Sequence, residues 1–169
     1  MPFETHKLDT EKQVFFYEQE FYVLSNFSAF TVLWHTSIRE GHVRFDTAEA
    51  VYHWEKFNPN IPTRLQYDVR TAIRLAPSAH EAFLIARRNK ANRRIDWDDI
   101  KVEVMRRILR AKANQHEYVR RKLLETGSRE LIEDSWRDGF WGWGPNKDGR
   151  NMLGKLWMEI RAEFSTSTK

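Results

Sequence analysis

Residues Asp96 to Arg110 read D-W-D-D-I-K-V-E-V-M-R-R-I-L-R and carry a clear helical pattern. The apolar residues recur at helical spacing and form one stripe: Val102, Met105, Ile108 and Leu109. Acidic residues occupy the first turn and basic residues the last turns, which is the order that the helix macrodipole favours. We therefore predict a helix that begins near Asp96, with Asp96 as the capping residue and Asp99 three positions later.

Other helix-start and helix-stop signals stand on both sides of this stretch. Two further pairs combine a capping residue with an acid three positions later, namely Asp46 with Glu49 and Ser78 with Glu81. A helix is also predicted from about Gln115 to Glu125, ending at Gly127. The last predicted helix carries apolar residues at helical spacing, as expected for a face that packs into a core: Met152, Leu153, Leu156, Trp157, Ile160 and Phe164.

The first third of the chain has a different pattern. Four short segments are rich in aromatic and β-branched residues and are separated by turn residues: Val14 to Tyr17, Phe21 to Leu24, Thr31 to Trp34 and His42 to Phe45. They favour a small sheet. The predicted fold is therefore α+β, a mostly α-helical single domain over residues 1–169 with a small N-terminal β-sheet.

Length and composition exclude several classes of protein. With 169 residues, 41% of them apolar and 14% aromatic, the chain can bury one good core and is not typical of disorder. It contains no cysteine, which excludes disulfides, thiol nucleophiles and cysteine-based metal sites. No apolar run approaches the ~18 residues of a membrane span, and nothing in the N-terminal sequence marks it for secretion. We expect a cytoplasmic protein with no membrane partner.

The positive charge is concentrated in one part of the sequence. The chain carries a formal net charge of +4, yet residues 87–125 alone contain 13 basic and 6 acidic residues, a net charge of +7. Such a segment can simply form solvated helix faces. It can also bind an anionic partner, either a phosphate-bearing ligand or a nucleic acid.

The most unusual segment lies near the C-terminus. Five of the seven glycines fall between Gly139 and Gly154, in D-G-F-W-G-W-G-P-N-K-D-G-R-N-M-L-G, together with Trp141 and Trp143. Glycines that let backbone amides approach a ligand, beside aromatic rings on which it stacks, suit a binding loop. The alternative is a structural loop whose tryptophans fill the core. The segment is neither a Walker loop nor a dinucleotide fingerprint.

The candidate catalytic groups are carboxylates. The six histidines show no metal-ligand spacing, and no serine-nucleophile motif is present, so a metal site and acyl transfer are not expected. The acids that stand beside aromatic or glycine-rich sequence are Glu49, Asp96 and Asp138. Each also has a structural interpretation, since Glu49 and Asp96 can serve helix caps and Asp138 can cap its own turn.

Short motifs occur in a fixed order along the chain: L-S-N-F at 24–27, F-x-T-x-E at 45–49, K-F at 56–57, D-W at 96–97, M-R at 105–106, A-K at 111–112, D-x-F-W-G-x-G at 138–144, G-x-N-x-L-G at 149–154 and M-x-x-R at 158–161. In this ordered set the chain resembles the NADAR or YbiA-like family over about residues 14–164. The resemblance implies an N-glycosidase that uses no cofactor. Family members hydrolyse ribosylamino-pyrimidine phosphates, which are intermediates of riboflavin synthesis, or remove ADP-ribose from guanine bases.

The resemblance also implies a set of site residues. Glu49 and Asp138 are the predicted catalytic residues, and the predicted substrate-binding residues are Trp97, Lys56, Asn26, Trp141, Gly142, Gly144 and Asn151. They would meet in a pocket between the small sheet, the helix of Glu49 and the glycine-rich loop.

Cleavage of a ribosyl C–N bond supplies roles for these groups. The sugar becomes positively charged, so a site needs one carboxylate to stabilise the cation or activate water and a second group to orient the ribose or assist. We assign the first role to Glu49 and the second to Asp138. Trp97 would stack on the heterocycle, while Lys56 and the basic segment from Arg87 to Arg94 would hold a phosphate.

The sequence leaves the substrate and the oligomeric state open. A free phosphorylated ribosyl compound, or ADP-ribose on guanine in DNA or RNA, would both suit this chemistry. A non-catalytic module that binds nucleic acid is the competing interpretation. That module would bind in a salt-dependent way and would not need Glu49.

Overall fold

A computed structural model describes residues 9–17, 19–36, 41–57 and 61–166. Its regular elements, in chain order, are β1 (Gln13–Phe15), a 3-10 helix (Gln19–Leu24), β2 (Val32–His35), β3 (His42–Phe45), α1 (Ala48–Glu55), α2 (Arg64–Arg74), α3 (Ala79–Arg88), a short 3-10 helix (Lys90–Asn92), α4 (Trp97–Gln115), α5 (Glu117–Glu125), β4 (Glu130–Ile132) and α6 (Met152–Thr166). The chain divides into two compact units. The first comprises Met1–Ser28 with His116–Lys169, and the second comprises Ala29–Gln115.

The second unit combines four helices with a β-hairpin. Helix α1 packs against α2, α3 and α4, α2 packs against α3, and α4 packs against β2. Strands β2 and β3 pair antiparallel, with Val32 opposite Phe45 and His35 opposite His42. Side chains along both strands alternate between buried and exposed, as expected when one face of a hairpin covers a core. This hairpin is the small sheet in the N-terminal third of the chain.

The caps of these helices partly match the predicted ones. Helix α3 is capped by Ser78, whose side chain accepts a hydrogen bond from the backbone N–H of Glu81, as predicted. The predicted cap at Asp46 is wrong, because Thr47 caps α1 and accepts from the N–H of Ala50 at 3.2 Å. A threonine hydroxyl can accept a hydrogen bond from the same unpaired N–H groups at the start of a helix as an aspartate carboxylate. Thr47 can therefore cap the helix in place of its neighbour Asp46.

Helix α4 begins directly after Asp96, as predicted. The carboxylate of Asp96 accepts two hydrogen bonds from the guanidinium of Arg94, at 2.6 and 2.8 Å, and this pairing lowers the pKa of Asp96. The structure also contains a helix start that the sequence analysis did not identify. Thr63 and Gln66 form a complete capping box at the start of α2.

The first unit is built around a pairing between distant parts of the chain. Strands β1 and β4 pair in parallel, with Gln13 opposite Glu130 and Phe15 opposite Ile132. Helix α6 packs against β4 and α5, and α5 packs against the first 3-10 helix. The prediction of a strand from Phe21 to Leu24 is wrong, because that segment belongs to the 3-10 helix. The indole Nε1 of the buried Trp157 donates to the Leu24 carbonyl at 2.9 Å, which uses an acceptor that a strand would have offered to a neighbour.

The helices of this unit follow the predicted pattern closely. Helix α5 ends at Glu125, and Gly127 follows with a φ of +60°, the left-handed conformation typical of a residue just past a helix end. Helix α6 buries most of the predicted face: Leu153, Leu156, Trp157 and Ile160. The mostly helical α+β class is thus confirmed, while the single-domain organisation stays a prediction. In the part of the chain that the structure describes, no helix is long and apolar enough to cross a membrane.

Candidate functional site

Helix α1 holds a buried pair formed by an acid and a histidine. Glu49 and His53 stand four residues apart, so they share one face of the helix. The Nε2 atom of His53 lies 2.7 Å from Oε1 of Glu49, and both residues are buried. Glu49 is in the first turn of the helix, where the positive end of the macrodipole favours a negative charge.

The surroundings of His53 keep its imidazole neutral. Burial lowers the pKa of His53, and the nearby charge of Lys56 lowers it further, while attraction to Glu49 acts in the opposite direction. A carboxylate can only accept hydrogen bonds, so the neutral ring carries its proton on Nε2 and donates it to Glu49. Among the described residues, Glu49 uses only Oε1 in a hydrogen bond. Its Oε2 is therefore the oxygen that can act on a ligand.

A basic cavity of about 300 Å³ opens beside His53 in the second unit. Its walls combine three aromatic or apolar residues with four cations, and the lining residues are His53, Lys56, Phe57, Phe83, Ala86, Arg87, Lys90 and Arg93. Arg93 forms an ion pair with Asp98 at 2.5 Å. Arg87 and Lys90 have no acidic partner among the described residues. The cavity thus offers positive charge to a ligand, and we call it the basic cavity.

Lys56 and Trp97 lie together beside this cavity. The ammonium of Lys56 stands 4.6 Å from the centre of the Tyr52 ring and 5.8 Å from that of Trp97. The two rings contact each other with a centroid distance of 5.0 Å. Trp97 is only 2% exposed, so its ring supports Tyr52 and Lys56 from the interior. Its predicted stacking on a heterocycle stays a prediction.

The glycine-rich loop belongs to the first unit and is held by its own backbone. Hydrogen bonds join Arg150 to Gly139, Asn151 to Gly142 and Leu153 to Trp141 at 2.8–3.0 Å. Three glycines pack so closely that a Cβ atom would meet backbone atoms within 3 Å: Gly142, Gly149 and Gly154. Close packing against backbone atoms therefore requires glycine at these three positions. This favours a structural role for the loop.

Asp138 and Trp141 open this loop. One carboxylate oxygen of Asp138 accepts hydrogen bonds from the backbone N–H groups of Phe140 and Trp141, each at 2.8 Å. This is the turn-capping geometry that the sequence analysis gave as the alternative for Asp138. Trp141 is half-buried and meets the ring of Phe140 edge-on at 4.9 Å. Gly144 has a φ of +69°, which glycine adopts without strain.

Asn151 joins the loop to strand β4. Its Oδ1 accepts from the N–H of Glu133 at 3.0 Å, and its Nδ2 donates to the carbonyl of Leu131 at 2.8 Å. The residue is buried, with a φ of +49°. Both ends of its amide are therefore engaged with backbone groups. Asn26 is also buried in this unit.

The structure thus assembles part of the predicted site. Glu49, Lys56 and Trp97 lie in the second unit. Lys56 lines the basic cavity, Lys56 and Trp97 both contact Tyr52, and Glu49 is hydrogen-bonded to His53 in the cavity wall. The other predicted residues lie in the first unit: Asn26, Asp138, Trp141, Gly142, Gly144 and Asn151. The pocket that would join the two sets stays a prediction.

His53 is the functional candidate that the sequence analysis missed. The signal was present, because an acid and a histidine four residues apart on a predicted helix are neighbours on its surface. Arg87, Lys90 and Arg93 of the basic segment line a cavity together with Lys56, and the predicted phosphate-binding role of these residues stays a prediction. Among the described residues, no group of three or more potential ligands could hold a metal ion.

Comparison with known proteins gives the chain a family. The model of the NADAR domain matches residues 15–165. A "Riboflavin biosynthesis protein" of Vibrio vulnificus is 36% identical over 154 residues, which covers 91% of this chain and 39% of that protein. The chain therefore spans well under half the length of this relative.

Two further relatives are shorter. The "N-glycosidase YbiA" of Shigella boydii is 35% identical over 119 residues, covering 70% of each chain. The NMR structure of the E. coli protein YbiA has a TM-score of 0.77 and 29% sequence identity, with 95% of this chain and 89% of that chain covered. With a family match over nearly its whole length and a relative of this similarity, the chain belongs to the NADAR domain family.

Proposed function

We propose that this protein is an N-glycosidase that hydrolyses the ribosyl C–N bond of a phosphorylated, nucleotide-like substrate. The observation that carries the proposal is the position of His53, which is hydrogen-bonded to Glu49, in the wall of the basic cavity. A carboxyl group near a cluster of cations is what such a substrate requires. The names of the relatives, N-glycosidase and riboflavin biosynthesis protein, support the same reaction class.

The basic cavity is the proposed phosphate site. Arg87 and Lys90 have no acidic partner within the described ranges, so their charges can be used by a ligand without first breaking an ion pair. Arginine binds phosphate oxygens through its planar fork, and lysine acts as a compact charge. Phe57 and Phe83 supply apolar walls, which exclude water and strengthen these interactions.

Glu49 is the proposed catalytic group. As the C–N bond lengthens, its electron pair leaves with the nitrogen and positive charge develops on the sugar carbon. Glu49 Oε2 stabilises this charge and takes one proton from the attacking water, whose oxygen forms the new bond to carbon. The same proton then passes to the departing amine. Atoms and charge are balanced with water as the only co-reactant.

His53 is the proposed positioning residue for Glu49. Its Nε2–H occupies Oε1 at 2.7 Å, which fixes the carboxylate rotamer and leaves Oε2 for the reaction. Because burial keeps the imidazole neutral, it does not add a positive charge that would weaken Glu49 as a base.

The remaining predicted residues keep their roles as part of this proposal. Asp138 would orient the ribose or assist, and Trp97 would stack on the heterocycle. Asn26, Asn151 and the loop residues Trp141, Gly142 and Gly144 remain the other predicted substrate-binding residues. The ribosylamino-pyrimidine 5′-phosphates are the proposed substrate class, and ADP-ribose on guanine in DNA or RNA is the alternative.

The test is a reaction time course followed by mass spectrometry. One reaction contains a ribosylamino-pyrimidine 5′-phosphate, and the other contains an oligonucleotide with ADP-ribosylated guanine. Release of ribose 5-phosphate from the first supports the proposal, while release of ADP-ribose from the second alone assigns the alternative substrate. If neither is cleaved, both proposed substrates are wrong, and another nucleotide substrate or the nucleic-acid-binding interpretation takes their place.

A matched set of variants separates the proposed roles. Glu49→Gln removes the base, and we expect kcat to fall by a factor of about 10²–10⁴. Glu103→Gln is the control, since Glu103 is an exposed acid on α4 outside the basic cavity. Lys90→Ala is expected to raise KM with a smaller change in kcat, because it removes a phosphate contact and not the reacting group.

A further inference from the structure

Strand β3 has an open outer edge. At the end of the hairpin, the N–H of Thr36 donates to the carbonyl of Gly41 at 2.9 Å, so these two residues form a hydrogen-bonded pair. Opposite residues of an antiparallel ladder alternate between hydrogen-bonded and non-hydrogen-bonded pairs. His42 and Arg44 of β3 therefore direct their N–H and C=O groups away from β2. Within the described ranges, no hydrogen bond reaches these backbone groups.

The outer edge of β2 is covered, in contrast to that of β3. On that side Leu33, which lies opposite Arg44, directs its backbone groups outward. The side-chain amide of Gln115 accepts from the N–H of Leu33 at 2.8 Å and donates to its carbonyl at 2.9 Å, as a neighbouring strand would. Proteins commonly cover or blunt the edges of sheets, because unpaired edge groups bind other strands. The uncovered edge of β3 is therefore available for pairing.

A cleft of about 420 Å³ borders this strand and lies between β3 and helix α2. Val43 and Trp54 line it, together with two side chains of α2 that are largely exposed, Tyr67 at 51% and Leu75 at 74%. Arg70 also lines it, but its guanidinium is stacked on the ring of Trp54. The cleft shares no lining residue with the basic cavity. We call it the β3 cleft.

We propose that the outer edge of β3 binds an extended acidic segment of a partner protein, which adds a strand to the hairpin and places apolar side chains in the β3 cleft. Main-chain hydrogen bonds to His42 and Arg44 supply the pairing, and the cleft selects the side chains. An uncovered edge beside an apolar cleft is what this mode of recognition requires.

The burial pattern of β3 predicts the sequence pattern of the bound segment. Val43 is buried and lines the cleft, whereas His42 and Arg44 have exposed side chains. Side chains alternate between the two faces of a sheet, and directly opposite residues of neighbouring strands share a face. Apolar residues are therefore expected on the face of Val43, and polar residues are expected on the face of Arg44.

The charge around the edge favours acidic residues at the polar positions. Arg44 is exposed on β3, and Arg74 lines the cleft from α2. Neither arginine forms an ion pair with another described residue, and no carboxylate is among the described residues that line the cleft. Opposite charges on neighbouring strands stabilise their pairing. A second copy of β3, which carries no acid, lacks this complementary charge.

The test measures binding of capped peptides to the full chain. The probe alternates glutamate and valine along its sequence. One control peptide has lysine in place of glutamate, and the other has N-methylated backbone nitrogens that cannot donate hydrogen bonds. We expect N-methylation to weaken binding by about tenfold or more, because it removes more than one main-chain hydrogen bond. The lysine peptide is expected to bind more weakly than the probe, because like charges on neighbouring strands repel each other.

Variants of Arg44 separate the role of the backbone from that of the side chain. Arg44→Pro removes the outward N–H, and we expect it to bind the probe about three- to tenfold more weakly than Arg44→Ala, which retains that N–H. Proline is tolerated on an edge strand where the N–H is not used by the sheet, and circular dichroism checks the fold. Arg64→Ala is the matched control, because Arg64 is exposed on α2, is paired with Asp68 and does not line the cleft.

Each outcome decides for or against the proposal. Binding of the probe that N-methylation and Arg44→Pro both weaken, and that Arg64→Ala leaves unchanged, supports it. Absence of binding at millimolar peptide, or equal binding of the probe and either control peptide, would overturn it. A wild-type dimer in sedimentation that Arg44→Pro dissociates would assign the edge to a second copy of the chain instead. If Arg44→Pro does not fold, the three peptides still decide with the wild-type protein.

Discussion

Replacement of Asn151 by alanine is expected to destabilise the first unit strongly. The substitution removes two buried hydrogen bonds, one from the N–H of Glu133 at 3.0 Å and one to the carbonyl of Leu131 at 2.8 Å. Each backbone group left without its partner in a buried position costs about 1–3 kcal/mol. The expected loss in the free energy of unfolding is therefore about 2–6 kcal/mol.

A matched control separates this loss from the cost of the backbone conformation. Lys147 also has a positive φ, +60° against +49° for Asn151. Its side chain is exposed, and its side-chain contact within the described part of the chain is a cation–π contact with Trp143. Lys147→Ala therefore carries the same backbone strain and loses about 0.5–1 kcal/mol of side-chain interaction.

The assay is urea unfolding of both variants, followed by circular dichroism, with the unfolding free energies compared at equal m-values. We expect Asn151→Ala to be less stable than Lys147→Ala by at least about 1 kcal/mol. Equal stability of the two variants would refute the structural role of Asn151 and leave substrate binding as its predicted role.

Three further predictions concern the second unit. Trp34→Phe removes the hydrogen bond that Nε1 donates to the buried Glu55 carboxylate at 2.6 Å. Urea unfolding should show that the free energy of unfolding falls by about 1.5–3 kcal/mol. The control is Trp136→Phe, which should change this free energy little because Trp136 is 60% exposed. Thr47→Ala removes the cap of α1 and should cost about 1 kcal/mol in the same measurement; an unchanged midpoint would contradict the assigned cap. Because burial lowers the pKa of His53, its contribution to stability is complete above the unfolded value of about 6.5 and is lost as the pH falls through the lower folded value. The free energy of unfolding should therefore rise with pH across this range, and His53→Gln should make that rise less steep. An identical pH dependence in the variant would contradict the buried neutral imidazole.

Local patterns in the sequence were enough to predict most helices. The apolar stripes of α4 and α6, the Ser78 cap and the Gly127 stop depend on neighbours within a few residues, and the structure confirms them. The wrong cap at Asp46 has a similar local cause, because Asp46 and Thr47 both suit the position and only backbone geometry decides between them.

Features that depend on distant contacts could not be predicted in this way. Strand β1 pairs with β4, whose residues lie more than a hundred positions later in the chain. The segment Phe21 to Leu24 has the composition of a strand, yet it forms a 3-10 helix whose last carbonyl is bound by Trp157. Tertiary contacts overrode local propensity in both cases.

The candidate site also combines residues that local sequence motifs indicated with contacts that only the structure shows. The family motifs indicated Glu49, Lys56 and Trp97, but the grouping of Lys56 and Trp97 around Tyr52 needed the structure. The loop glycines looked like ligand contacts, but their close approach to backbone atoms cannot be inferred from composition. His53 was within reach of sequence reasoning, since its spacing from Glu49 is four residues.

Glu49 is the proposed catalyst of N-glycoside hydrolysis, and its partner His53 lines the basic cavity. The most direct measurement is the rate of ribose 5-phosphate release from a ribosylamino-pyrimidine 5′-phosphate by the wild-type protein and by folded Glu49→Gln. We expect turnover by the wild-type protein and a loss of about 10²–10⁴ in kcat for the variant. Turnover at equal rates by both proteins would contradict it.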